Sequence, residues 1–198
     1  MKTLLLTMLL ASPAAAEPAA APAAAPAAAP AGPWDPAARL AAQREAMKAL
    51  AFLDGAWRGD AEVQEMPGKL TQTERVGPLL DGSVRVVEGR GYDGTGNTVF
   101  NALGIISYDP VKRSYAMRSY AMGYHGDYPL IVRPDGFSWS HPAGPGASIR
   151  YTAIVKDGEW HEVGERVAQG AAPVKTLEMR LRRLGPSAWP QEGAVPLR

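Results

Sequence analysis

Residues Leu53 to Glu65 read LDGAWRGDAEVQE. Within this stretch Trp57, Gly59, Ala61 and Val63 alternate with Arg58, Asp60, Glu62 and Gln64. Small or apolar residues on one side and charged or polar ones on the other, with a period of two, mark a half-buried β-strand. The residues just before obey another rule. Asp35-Pro36 supplies a good N-cap and a residue suited to the first helical position. AARLAAQREAMKALAFL, residues 37–53, then runs without Gly or Pro. This pattern predicts one helix from Pro36 to about Leu53, with Leu40, Met47 and Leu50 on one face and Gly55 placed to end it.

Downstream of Trp57 the chain is punctuated by turn signals. They are Pro67-Gly68, Asp81-Gly82, the Gly94 to Asn97 run, Asp109-Pro110, Gly126-Asp127, Pro134 to Gly136, Pro142 to Gly146, Asp157-Gly158 and Gly170 to Pro173. Between them lie strand-like segments such as SVRVVEGRGY (83–92), TVFNALGIISY (98–108), SIRYTAIV (148–155) and VKTLEMRLRRL (174–184). These signals imply about ten strands joined by tight loops, and tight loops force antiparallel neighbours. A meander of that length leaves two open edges unless it closes on itself. The expected fold is therefore mainly β: a single antiparallel up-and-down barrel with one N-terminal capping helix, over residues 35–184.

Upstream, MKTLLLTMLLASPAAA (1–16) combines a positive residue, a short apolar core and an Ala-x-Ala site, the pattern of a secretory signal peptide. Its apolar run falls well short of the ~20 residues of a membrane span. Residues 17–34 carry prolines at 18, 22, 26 and 30 in an alanine background and read as an extended, disordered linker. Residues 185–198, GPSAWPQEGAVPLR, read as a loose tail. The expected location is the periplasm or the cell exterior, with no membrane span left after cleavage. The absence of cysteine excludes disulfides, thiolate metal sites and a cysteine nucleophile. With 21 basic and 20 acidic residues and a formal charge of +1, nothing points to nucleic acid or to an anionic membrane surface.

A short helix leading into Gly-x-Trp at the start of the first strand of a meander resembles the calycin superfamily, which includes lipocalins and nitrobindin-type barrels. The resemblance implies that Trp57 lies across the closed end of the barrel near Gly55. It implies an arginine from a late strand above the indole, for which Arg180 and Arg182 are the candidates. A longer similarity runs from about Ala51 to Arg183. LLDGSVRVVEGRGY (79–92), FNALGIISYDPVKRSYAMRSY (100–120) and TLEMRLRR (176–183) occur in that order. Gly104, Tyr108, Asp109 and Tyr115 match the middle hairpin, and Glu178, Met179 and Arg183 match the last strand, of the secreted bacterial domain of unknown function 1579 family. Asp81 stands where that family usually has glycine. The similarity implies a calycin-like barrel and no established activity.

The most unusual stretch is RSYAMRSYAMGYHGDY, residues 113–128. Strand alternation puts Tyr115, Met117, Ser119, Ala121, Gly123 and His125 on one face and Arg118, Tyr120, Met122 and Tyr124 on the other. A bulge at Gly123 would reverse the assignment of the residues beyond it. Tyrosine, methionine and histidine beside small residues make an adaptable lining. Tyr115, Met117 and His125 are accordingly the expected contacts of a small, largely apolar ligand inside the barrel. The alternative is a filled barrel serving as an interaction module. Nitrobindin-type barrels bind haem through a late-strand histidine, which singles out His161. Those proteins continue from their tryptophan with alternating glycines and Tyr-Pro, whereas this chain has RGDAEVQEMPG (58–68). Acid–base pairs are conceivable at His125 with Asp127 and at His161 with Glu162 or Glu165. No catalytic set, metal site or cofactor is expected, and the oligomeric state is left open.

Overall fold

The computed structural model describes residues 35–64, 66 and 68–191. The signal-like segment and the linker up to residue 34 lie outside them, as does the tail after residue 191. Helix α1 spans Pro36–Met47, capped by Asp35, whose carboxylate accepts the Ala38 N–H at 2.9 Å. It tightens into a 3₁₀ turn over Lys48–Leu53. Leu40 is exposed, and the buried residues are Ala46, Met47, Leu50 and Leu53. The helix therefore docks by its last turn and the 3₁₀ segment rather than along one face.

Ten strands complete the chain: β1 (Gly55–Val63), β2 (Leu70–Leu79), β3 (Val84–Tyr92), β4 (Thr98–Asp109), β5 (Ser114–Ala121), β6 (Tyr124–Arg133), β7 (Gly136–Pro142), β8 (Ala147–Lys156), β9 (Glu159–Ala168) and β10 (Val174–Gly185). Each pairs antiparallel with the next, and β10 pairs with β1, so the meander closes. Closure removes both sheet edges.

Gly55 opens β1 instead of ending the helix. Its φ is +135°, and a Cβ there would stand 2.7 Å from the Gly185 carbonyl oxygen, so only glycine turns this corner. Two residues later Trp57 is 1 % exposed. Its indole N–H donates to the Leu53 carbonyl at 2.9 Å. Trp160 meets it edge-on at 5.7 Å, and Phe137 meets Trp160 in the same way at 5.8 Å. Val76, Ile106, Leu130 and Leu181 complete an apolar plug beneath the 3₁₀ turn.

The helix C-terminus leaves carbonyls without partners in the helix, and the barrel supplies donors for them. Tyr115 Oη donates to the Ala46 carbonyl at 2.7 Å, and the Arg85 guanidinium donates to the Met47 carbonyl. Arg85 also forks onto the Asp54 carboxylate at 2.7 and 2.9 Å. Arg183 donates to the Phe52 and Asp54 carbonyls while its guanidinium lies 4.1 Å from the Trp57 ring centroid. The arginine over the indole is thus Arg183. Arg180 and Arg182 lie on the outer face, where they pair with Glu178 and Glu159.

The first residues after β10 pack rather than hang loose. The Trp189 carbonyl sits where a Cβ on Gly77 would be, and the Arg75 guanidinium covers the Trp189 ring at 4.8 Å. Among the described residues no helix is long and apolar enough to cross a membrane.

Candidate functional site: the open half of the barrel

The half of the barrel away from the helix is lined differently. On β2 the inward row that begins with Leu70 and ends with Val76 carries Gln72 and Glu74 between them, both buried. On β9 the inward row that begins with Trp160 continues with Glu162, also buried. Gln72 Nε2 donates to Glu74 Oε1 at 2.8 Å, and Trp160 Nε1 donates to Glu162 Oε2 at 3.1 Å. Gly89 faces Glu74 across the β2–β3 ladder. A Cβ on Gly89 would stand 2.7 Å from the carboxylate, so this glycine makes the space that Glu74 fills.

A wall of rings runs along β6, β7 and β8. Trp139 and Tyr151 stack at 4.5 Å with their planes 14° apart. Tyr128 lies 5.5 Å from Trp139, and His141 lies 5.8 Å from Tyr151. All four rings point inward and are only half-buried, unlike the sealed plug at the helix end. Next to them the lining is small: Gly104 on β4 and Ser119 and Ala121 on β5 face inward. A cleft of about 380 Å³ lies at the rim, where Val63, Met66, Lys69, Lys175 and Leu177 line it.

The two buried acids are displaced in the same direction. Burial disfavours the charged form. It pushes Glu74 up to about 8, with the charges of Glu162 and Glu88 adding to the effect. It pushes Glu162 up to about 7 against the hydrogen bonds of Trp160 and Trp139. Burial, with the Glu162 charge, also lifts the Tyr151 hydroxyl to about 12. On the outer face Glu178 shows the reverse. Lys175, Arg180 and His161 all bond to it and hold it down to about 2.

The site residues expected from the sequence are scattered by this geometry. Tyr115 faces inward but in the filled half, its hydroxyl tied to the helix. Met117 faces inward and is buried at the boundary between the halves, its sulfur against Gly104. His125 falls on the outer face, where it stacks on Tyr120 at 6.1 Å. The reason is the turn at Met122-Gly123. Both residues have positive φ (50° and 86°), the two-residue hairpin geometry, so Ala121 faces Tyr124 and Tyr120 faces His125. Asp127 is claimed by Arg118, at 2.8 and 2.6 Å, rather than by His125. His161 also lies outside, 3.0 Å from Glu178, so it offers no interior ligand for haem, and Glu162 points to the opposite side of β9. Glu165 is held by Arg150 at 2.7 Å. Among the described residues no three His, Asp or Glu side chains are grouped to hold a metal ion.

Sequence reasoning missed Gln72, Glu74, Tyr128, Trp139, His141, Tyr151 and Glu162. A signal was present: extending the two-residue period from Leu70 and from Trp160 puts Glu74 and Glu162 on apolar rows. Neither a protein-family model nor a curated protein sequence matches this chain, and what is shown is a closed ten-stranded antiparallel barrel.

Proposed function

We propose that this protein is a calycin-like, small-molecule-binding barrel that works in the periplasm or outside the cell, with its ligand in the open half. One observation carries the reading. The inward rings of that half, Tyr128, Trp139, His141 and Tyr151, remain reachable, while the Trp57, Trp160 and Phe137 plug at the helix end is sealed. Ligand sites combine apolar and aromatic walls with a few polar groups that fix orientation, and this lining has both. A filled interaction module has no need of a reachable inner wall.

The finer family reading, the secreted bacterial domain of unknown function 1579 group, is supported by the Trp57–Arg183 stack and by Tyr108 and Tyr115, whose rings pack at 4.9 Å. Export is supported by residues 1–16. N-terminal sequencing of secreted protein should begin at Glu17, and a start at Met1 would contradict export with cleavage.

The binding reading is tested by filling the cup. Ala121 is inward, small and opposite Ala102. Ala121→Trp should leave the far-ultraviolet circular dichroism unchanged and weaken an apolar fluorescent probe by about tenfold or more. Equal probe affinity in the two folded proteins would overturn the reading. Native mass spectrometry of protein taken from its own cells should show a retained small molecule that Ala121→Trp lacks.

A further inference from the structure

We infer that the ligand of the open half is an organic cation, a protonated amine or quaternary ammonium on an apolar body, held between the Glu74 and Glu162 carboxyls and the Trp139–Tyr151 ring wall. The inference rests on the binding reading and names the chemical class of its ligand.

Four observations converge on it. First, no basic side chain among the described residues is within ion-pair distance of either acid. Of the arginines on inward rows, Arg85 is engaged by Asp54 and the Met47 carbonyl, Arg183 by carbonyls and the Trp57 face, and Arg166, exposed at the rim end of the β9 row, makes no ion pair with either acid. Buried carboxylates are ordinarily paired, so these two ionise readily only when a cation joins them.

Second, with Glu74 ionised, the free polar atoms there are acceptors. Gln72 is 5 % exposed and Glu74 is 8 % exposed. Gln72 spends its amide N–H on Glu74 Oε1, and neither Gln72 Oε1 nor Glu74 Oε2 receives a hydrogen bond from any described residue. Both oxygens border space that solvent reaches, where an ammonium group or a polarised N–CH₃ surface can meet them.

Third, the neighbouring wall is aromatic, with Trp139 and Tyr151 stacked and Tyr128 and His141 beside them. Ring faces attract cations, and quaternary ammonium groups are recognised by such walls. Fourth, no third carboxylate or histidine is grouped with the acids among the described residues, so a bare metal ion finds no ligand set.

Binding also moves protons. The groups around the acids are Gln72 and Gly89 beside Glu74, Glu88 from behind β3, Trp160, Trp139 and Tyr151 beside Glu162, and His141 and Arg166 further toward the rim, with the two acids also feeling each other. Burial keeps the proton on Glu74 at neutral pH and leaves Glu162 partly protonated there. A bound cation favours their ionised forms, so binding releases protons and affinity rises with pH.

The test compares phenyltrimethylammonium with its uncharged isostere tert-butylbenzene by isothermal titration calorimetry, on the wild type, Glu74→Gln, Glu162→Gln and Ala121→Trp. The quaternary probe has no acidic proton, so protons released come from the protein. The expected result is that wild type prefers the cation by about tenfold or more, with affinity increasing by about tenfold from pH 6 to pH 8. Calorimetry in buffers of different ionisation heat should show proton release. Each glutamine variant should lose the preference while still binding the isostere, and Ala121→Trp should bind neither. Equal or tighter binding of the isostere by wild type, blocked by Ala121→Trp, would overturn the cation inference and leave the binding reading standing. Failure of wild type to bind either probe would overturn both.

Discussion

The two ends of this barrel are built from the same ten strands with the same alternation, yet they are filled in opposite ways. At the helix end large side chains dominate the inward positions, and the polar groups that tie the helix to the barrel are paired. Arg85 has Asp54, Tyr115 has the Ala46 carbonyl and Trp57 has the Leu53 carbonyl. At the open end glycine, alanine and serine occupy the wall next to the rings, and two carboxyls lie buried with no basic side chain in ion-pair reach among the described residues. The closed end is a core that fixes the fold. The open end is a surface turned inward, and its unmatched acceptors are what a ligand can complete.

If that division holds, substitutions sort by which half they touch. The largest effect belongs to the plug. Trp57→Ala should cost about 3–5 kcal/mol in a urea titration, as large-to-small changes in a sealed core do. A loss within about 0.5 kcal/mol would mean that Trp57 carries no core packing. Next comes Asp54→Ala, which leaves the Arg85 guanidinium buried at 6 % side-chain exposure without its carboxylate. A loss of about 2–3 kcal/mol is expected, since stranding a buried charge is costly.

The open half should respond to pH instead. In the unfolded chain Glu74 ionises near the ordinary value of 4.5, whereas in the folded barrel it keeps its proton up to about 8. The folded state then binds the proton more tightly. Stability is fully present below the unfolded value and declines as pH rises between the two. Glu74→Gln should therefore flatten a decline that wild type shows over this range in urea titrations. A wild-type stability independent of pH there, once other groups are controlled for, would contradict the placement of Glu74. The smallest effect is expected outside. Arg182→Ala, at a side chain 80 % exposed, should leave the denaturation midpoint unchanged, while Arg183→Ala lowers it.

The closed meander was legible because alternation around Trp57 and the recurring Gly, Pro and Asp turns are local signals. What escaped were reversals and exceptions to alternation. The Met122-Gly123 hairpin exchanges the faces of β6 relative to β5 and moves His125 outside. On β10 the inward row of Met179 and Leu181 leads directly to Arg183, so Arg180 and Arg182 already stood on the wrong parity. The helix docks by its end because its terminal carbonyls have donors in the barrel, and Leu40 faces solvent in consequence. Glu74 and Glu162 were hard to see for a physical reason. A glutamate in a strand ordinarily faces water, and small cross-strand neighbours, Gly89 for Glu74 and Ala153 for Glu162, make room for one inside.

The most direct test of the enclosed acid pair is a pH titration of the glutamate side-chain carboxyls by ¹³C nuclear magnetic resonance. Two resonances should titrate near 8 and near 7, and they should disappear in Glu74→Gln and Glu162→Gln respectively. If every glutamate titrates at or below the ordinary value of 4.5, the two carboxyls are solvated and the open half is not an enclosed, acid-lined cup.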